Sequence, residues 1–263
     1  TQDSGDDSDN HEIVPLTYSE ADTLERIPIE GPYRKALLKA AGISEKDRVY
    51  LYNYATDKLV VLPVSGLKSL ALLNGYSGRE DAPYEDYLYQ EGLQFDTTIL
   101  DKLKSHYGGE VVVYIGAENP FVRGKMQLMN WKKRKESEWP GKQSAAYLKQ
   151  FKSLKKNNPL SCTLDSLTYW VRDWGPNEFY RDKRELVVVG PSGKVVYTQL
   201  LEQSEGCSMA PLNGKYPDYY AKNQFAGQLI KDAGPAFIGF EYLPKLYGLE
   251  RLQGFDWAIE RWL

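Results

Sequence analysis

Two apolar, β-branched runs, Leu186–Val189 and Val195–Leu200, give the clearest pattern in the chain. Between them, Gly190-Pro191-Ser192-Gly193 fixes one φ at the proline and tolerates positive φ at the glycines, which predicts a hairpin. The three consecutive valines, Val187 to Val189, predict a strand buried on both faces and central in its sheet. A second pair of runs, Val49–Tyr52 and Leu59–Leu62, flanks Ala55-Thr56-Asp57-Lys58 and predicts another hairpin. Val111–Ile115 reads as a further buried strand, and Phe237–Leu243 as a last one.

Helical spacing is read elsewhere. Gly31-Pro32 places proline in a first turn, and Gly42 stops a helix whose Tyr33, Leu37, Leu38 and Ala41 share a face. Asp96 is placed to cap a helix over Thr97–Tyr107, with Ile99, Leu100 and Leu103 inward and Gly108-Gly109 as the stop. Short helices are expected at Ser19–Arg26 and Leu67–Leu73. Longer ones are expected over Gln143–Lys156, Pro217–Lys231 and Leu249–Leu263, the last weakened by Gly254. These elements predict an α/β body, or a mixed α+β one: a mixed β-sheet with hairpins, flanked by amphipathic helices. From Thr97 to Leu200 the order of helices and strands suggests a thioredoxin-like arrangement, by fold analogy.

Charge changes this picture at two places. Residues 1–30 hold nine acids against Arg26 alone. Their first half is too polar and charged to order itself, so a disordered acidic tail over 1–15 precedes one domain over 16–263. Residues 123–156 hold eleven Lys/Arg against Glu136 and Glu138. There Trp131 and Trp139 bracket Lys132, Lys133, Arg134 and Lys135. Basic residues interleaved with aromatics suit anionic or acidic partners. The formal net charge of −3 does not fit a dedicated nucleic-acid binder. No apolar run approaches the roughly 18 residues of a membrane-crossing helix.

Two cysteines, Cys162 and Cys207, flank the central hairpin in segments read as loops. A bridge between them would close a loop of about 45 residues and stabilise the fold by roughly 3–4 kcal/mol. Such a bridge, with a start at Thr1 and a flexible acidic lead, predicts an exported protein, processed or lipid-anchored at its N-terminus, in the bacterial periplasm. The alternative is two buried thiols.

The residue set points away from most catalysis. The two histidines, His11 and His106, lie in the tail and near a helix end, so neither is placed to activate a nucleophile. Four scattered Cys and His residues do not make a metal site, Cys-x-x-Cys is missing, and there is no phosphate-cradling loop. No cofactor or metal is implied. A glycosidase-type carboxylate pair remains open, with the Tyr and Trp residues as sugar-stacking walls.

Trp170-Val171-Arg172-Asp173-Trp174-Gly175-Pro176 resembles the Arg-Asp-x-Gly-Pro motif of guanidine-modifying deiminases of the agmatine and peptidyl-arginine type. The resemblance covers about seven residues. It implies that Asp173 holds a cationic guanidinium, with Arg172 as its neighbour. The chain departs from that family in having no cysteine after Cys207 and no well-placed histidine. The alternative is a strand running into a Gly-Pro turn, with Arg172 and Asp173 in ion pairs and the Trp rings packed.

The leading expectation is a non-enzymatic, exported protein-binding module that neutralises a secreted effector by occlusion, as inhibitor or immunity proteins do. Its contacts are assigned to loops around 131–141 and 172–180, through Trp131, Lys132–Lys135, Trp139, Arg172, Asp173 and Trp174, since Trp, Tyr and Arg most often anchor interfaces. Two alternatives stand beside it: an envelope hydrolase acting on a glycan, and an envelope scaffold holding anionic lipid.

Overall fold

The computed structural model describes residues 26–73, 89–96, 98–104, 110–141, 149, 151, 154–176, 181–203, 209–212 and 224–241. Its contacts gather into two compact units, residues 1–119 with 253–263, and residues 120–252.

The first unit holds two three-stranded sheets. In one, β4 (Lys68–Leu73) lies between β1 (Arg26–Ile29) and β5 (Tyr89–Gln94). In the other, β2 (Arg48–Asn53) lies between β3 (Lys58–Pro63) and β6 (Val111–Gly116). The β2–β3 hairpin and the β6 strand form where the sequence predicts them. Helix α1 (Gly31–Ala40) starts on Pro32 and ends at Gly42, whose φ of +67° is the left-handed stop that glycine supplies. Helix α2 (Thr98–Leu103) is opened by Asp96, which accepts the Thr98 backbone N–H at 2.9 Å. Leu38, Ile99 and Leu103 close the unit's core on Val49, Leu51 and Val64.

Arg34 of α1 pins this unit together. Its Nε and Nη2 donate to the two carboxylate oxygens of Glu45 at 2.6 and 2.9 Å. Nη1 donates to the Leu67 carbonyl and Ser69 Oγ at 2.7 and 2.9 Å, and Nη2 also to the Val64 carbonyl at 2.8 Å. The five N–H groups of the guanidinium are thereby engaged. The pairing lowers the Glu45 carboxyl pKa and raises that of Arg34.

The second unit is built on a six-stranded sheet. β7 (Met126–Leu128), β8 (Lys132–Lys133), β9 (Lys155–Lys156), β10 (Leu160–Leu164), β11 (Leu167–Gly175), β12 (Lys183–Val189) and β13 (Val195–Glu202) follow in chain order, then β14 (Phe225–Gly227) and β15 (Ala236–Ile238). The spatial order is β13-β12-β11-β10-β8, with β9 taking over beside β11 where β10 ends. β14 joins β15 and β7 in a separate three-stranded sheet. Leu160, Tyr169, Val171, Leu186, Val188 and Leu201 of the large sheet pack against Met209, Leu212, Ala226, Phe237 and Phe240. Gly227 sits at φ +147°, and a Cβ there would lie 1.9 Å from the Lys125 carbonyl oxygen, so only glycine allows β14 to approach β7 this closely.

The architecture overturns the expected fold class. Every described strand pair is antiparallel, and two α-helices occur among the described residues, both in the first unit. The molecule is a set of antiparallel sheets rather than a helix-flanked α/β body. A thioredoxin-like arrangement over 97–200 needs parallel pairing and is not what forms. Leu67–Leu73, expected as a helix, holds the strand β4: Ser69 and Ala71 are buried on alternate positions, the two-residue period of a central strand. Within the expected helix Pro217–Lys231, Phe225–Gly227 is β14, and at the end of Gln143–Lys156 the two lysines form β9. In both, pairing with a neighbouring strand overrides local helical spacing. Residues 1–25, including most of Ser19–Arg26, and residues 242–263 lie outside the described residues, as do His11, His106 and Cys207.

Candidate functional site

The Arg172-Asp173-Trp174 segment lies in the C-terminal half of β11, not in a loop. It pairs with β12 so that Arg172 faces Glu185, Asp173 faces Arg184 and Trp174 faces Lys183. Successive side chains leave opposite faces of a strand, so two charge clusters form back to back.

On the core face, Asp173 is 4% exposed and Arg184 is 0% exposed. Arg184 Nε donates to Asp173 Oδ1 at 2.7 Å and Nη2 to Oδ2 at 3.1 Å, a two-point fork. Arg181 Nε lies 2.7 Å from Asp173 Oδ2. Arg184 Nη1 also donates to the carbonyls of Ala210 and Phe240 at 2.8 and 2.9 Å. One buried guanidinium thus ties β11 and β12 to two further segments. This is the task that the deiminase resemblance assigns to Asp173, but the guanidiniums held are the chain's own.

On the opposite face, Arg172 is 2% exposed. Its Nη1 donates to Glu136 and its Nη2 to Glu185, both at 2.7 Å. Its Cζ lies 4.2 Å from the Trp139 ring centroid and 5.1 Å from that of Trp174. Trp139 meets Trp170 edge-on at 6.3 Å, and Phe151 stacks on Trp174 at 4.9 Å. Lys156 pairs with Glu136 at 2.7 Å. The Glu136–Glu138 turn is held by the Lys135 N–H, which donates to Glu138 Oε2 at 2.7 Å. Glu136 and Glu185 are therefore two carboxylates between aromatic walls, as a glycosidase would have. Arg172 donates one hydrogen bond to each, so both carboxylates are engaged by the chain's own guanidinium.

The structure brings the two expected contact segments together, because Glu136 and Trp139 close over Arg172. It also divides them by exposure. Arg172, Asp173 and Trp174 are buried in a strand rather than exposed on a loop. Trp131 is half-buried: its Nε1 donates to Gln224 at 3.1 Å and its ring meets Phe240 edge-on. Lys132, Lys133, Arg134 and Lys135 are exposed on and beside β8, at one edge of the sheet. Arg134 donates from Nε to Ser161 Oγ at 2.8 Å and reaches Glu138 at 3.8 Å. The local acids are thus engaged, Glu136 by Arg172 and Lys156 and Glu138 by Arg134 and the Lys135 N–H. Lys132, Lys133 and Lys135 make no ion pair among the described residues.

Cys162 lies within β10 rather than in a loop, and is a buried free thiol. Burial raises its pKa, partly offset by the Asn130 backbone and Lys132. Its expected partner, Cys207, is outside the described residues. Tyr169 beside it is pushed up to about 12, by burial first and then by Asp165 and Cys162. No group of three or more metal-ligating side chains occurs among the described residues, nor a helix long and apolar enough to cross a membrane.

Sequence reasoning missed Glu136, Arg181, Arg184 and Glu185 as members of these clusters. The signal was present: Arg184-Glu185 enters a strand of buried valines, and antiparallel pairing sets it in register against Arg172-Asp173. Searches against protein-family models, curated proteins and solved structures find no match, so the geometry carries the functional reading.

Proposed function

We propose that this chain is a non-enzymatic protein-binding module of the inhibitor or immunity kind, which lays its basic β8 edge against an acidic surface of the protein it neutralises. The observation that supports this is the charge imbalance at that edge. Lys132, Lys133 and Lys135 stand exposed, while the neighbouring Glu136 and Glu138 are each paired to cations of the same chain. Beside that edge, Glu136 is tied to the buried Arg172, which anchors the turn next to the lysines. Outside the cytoplasm, a secreted effector enzyme with an acidic cleft is the partner class that fits.

The test compares tagged wild-type chain with the triple variant Lys132→Glu, Lys133→Glu and Lys135→Glu in capture from the native host, at low and high salt. One stoichiometric protein should be retained by the wild type and lost by the variant, with a salt dependence that the variant lacks. A partner held equally by both would overturn the assignment. So would binding to anionic vesicles without any protein partner, which belongs to the lipid-scaffold reading.

A further inference from the structure

The two edges of the six-stranded sheet are unlike. The β8 edge is two residues long and carries lysines, a common guard against strand addition. The β13 edge is eight residues long, and Val195 and Val196 are exposed along it, Val196 at 60%. Tyr197 and Thr198 are exposed too. Among the described residues β13 pairs with β12 alone. A bulge guards part of this edge: Val189 pairs with Val195 and Val188 with Tyr197, which leaves Val196 as the extra residue. Beyond it, Tyr197–Glu202 pairs regularly with β12 and presents unpaired backbone groups outward.

The charges at the ends of β13 identify an occupant. Lys194 precedes the strand and Glu202 ends it, with no charged residue between them. Glu202 pairs with Lys183 of β12, yet its side chain remains 54% exposed. We infer that β13 pairs antiparallel with β13 of a second copy of this chain, about a two-fold axis at Thr198. Thr198 then meets Thr198, and Tyr197 meets Gln199. The Val195–Val196 bulge meets Leu200, and Lys194 of each strand comes to the Glu202 end of the other. Same-face residues oppose one another in this register, as an antiparallel ladder requires. The two six-stranded sheets become one continuous sheet, and the exposed valines are covered. This interface is independent of the β8 reading and leaves the two basic edges facing away from each other.

Sedimentation of the full chain tests this. The wild type should run at twice its 30.0 kDa mass, and Val196→Lys as a monomer with an unchanged circular dichroism spectrum. Thr198→Cys should form a reducible covalent dimer on mild oxidation, because facing residues of such a pair lie within disulfide reach. Ser192→Cys, in the turn, should not. Lys194→Glu should weaken the dimer at least tenfold, and adding Glu202→Lys should restore it. A wild type that stays monomeric overturns the proposal. A dimer indifferent to Val196→Lys, or equal cross-linking at positions 198 and 192, does the same. A monomer whose β13 amides become protected only on adding a different protein also overturns it, and assigns the edge to that protein.

Discussion

Replacing Asp173 with alanine separates a structural strut from an exposed contact residue. The carboxylate is 4% exposed and takes two bonds from Arg184 and an ion pair from Arg181. Removing it leaves Arg184 buried without its counter-charge. Breaking a buried ion pair from one side costs about 3–5 kcal/mol. Arg184 keeps its two carbonyl acceptors, at Ala210 and Phe240, which places the cost near the lower end, about 3 kcal/mol. With a urea dependence of about 2 kcal/mol per molar, the unfolding midpoint should fall by about 1.5 M. Tryptophan fluorescence reports it, since Trp131, Trp139, Trp170 and Trp174 all belong to this unit. Glu138→Ala, which breaks the exposed contacts to Arg134 and to the Lys135 N–H, is the control and should cost about 1 kcal/mol. If Asp173→Ala costs no more than the control, the buried cluster does not hold the sheet and the reasoning fails.

Three other expectations follow from single sites. The β10–β11 turn places Asp165 at φ +47° and Ser166 at φ +106°, so Ser166→Gly should relieve backbone strain, stabilise the unit by about 1 kcal/mol and raise Tm by about 3 °C in calorimetry; a lower Tm would contradict the turn. Tyr169 titrates near about 12 in the fold, against about 10 when unfolded, so its contribution is complete below pH 10 and is lost as pH rises towards 12. The loss is about 2 kcal/mol after allowance for solvent screening, and Tyr169→Phe should remove that part of the alkaline destabilisation; equal pH profiles for both proteins would refute the burial argument. Arg34→Lys keeps the charge but loses the fork that joins Glu45, Val64, Leu67 and Ser69, and should cost about 2 kcal/mol. Faster amide exchange at Ile29, Ser69 and Ala71 would show it, and unchanged exchange there would contradict it.

Strands with β-branched runs and glycine-bearing turns were legible in the sequence. The β12–β13 and β2–β3 hairpins and β6 form where the pattern places them, and β12 is central and buried, as three valines in a row require. The alternative reading of Trp170–Pro176, a strand with paired charges and packed rings, describes β11. What was not legible was set by distant partners. Leu67–Leu73 fits either period, and only its place between β1 and β5 makes it a strand. Phe225–Gly227 looks helical locally and becomes β14 because Gly227 lets it approach β7. The exposed and buried halves of the expected contact residues could not be told apart, since exposure of Arg172 depends on Trp139 and Glu136, more than thirty residues earlier. Cys162 read as a loop residue because its strand is short and lies between Asn157-Asn158-Pro159 and Asp165-Ser166.

β11 and β12 form a buried strut, and both proposed binding surfaces lie at the edges of their sheet. Hydrogen exchange of the full chain, read by mass spectrometry, tests this directly. Amides of Tyr169–Trp174 and Arg184–Val188 should be the slowest in residues 120–252, and those around Lys132–Lys135 should exchange early. Rapid exchange across Arg172–Trp174, matching that of the lysine edge, would show an exposed loop there and contradict the account.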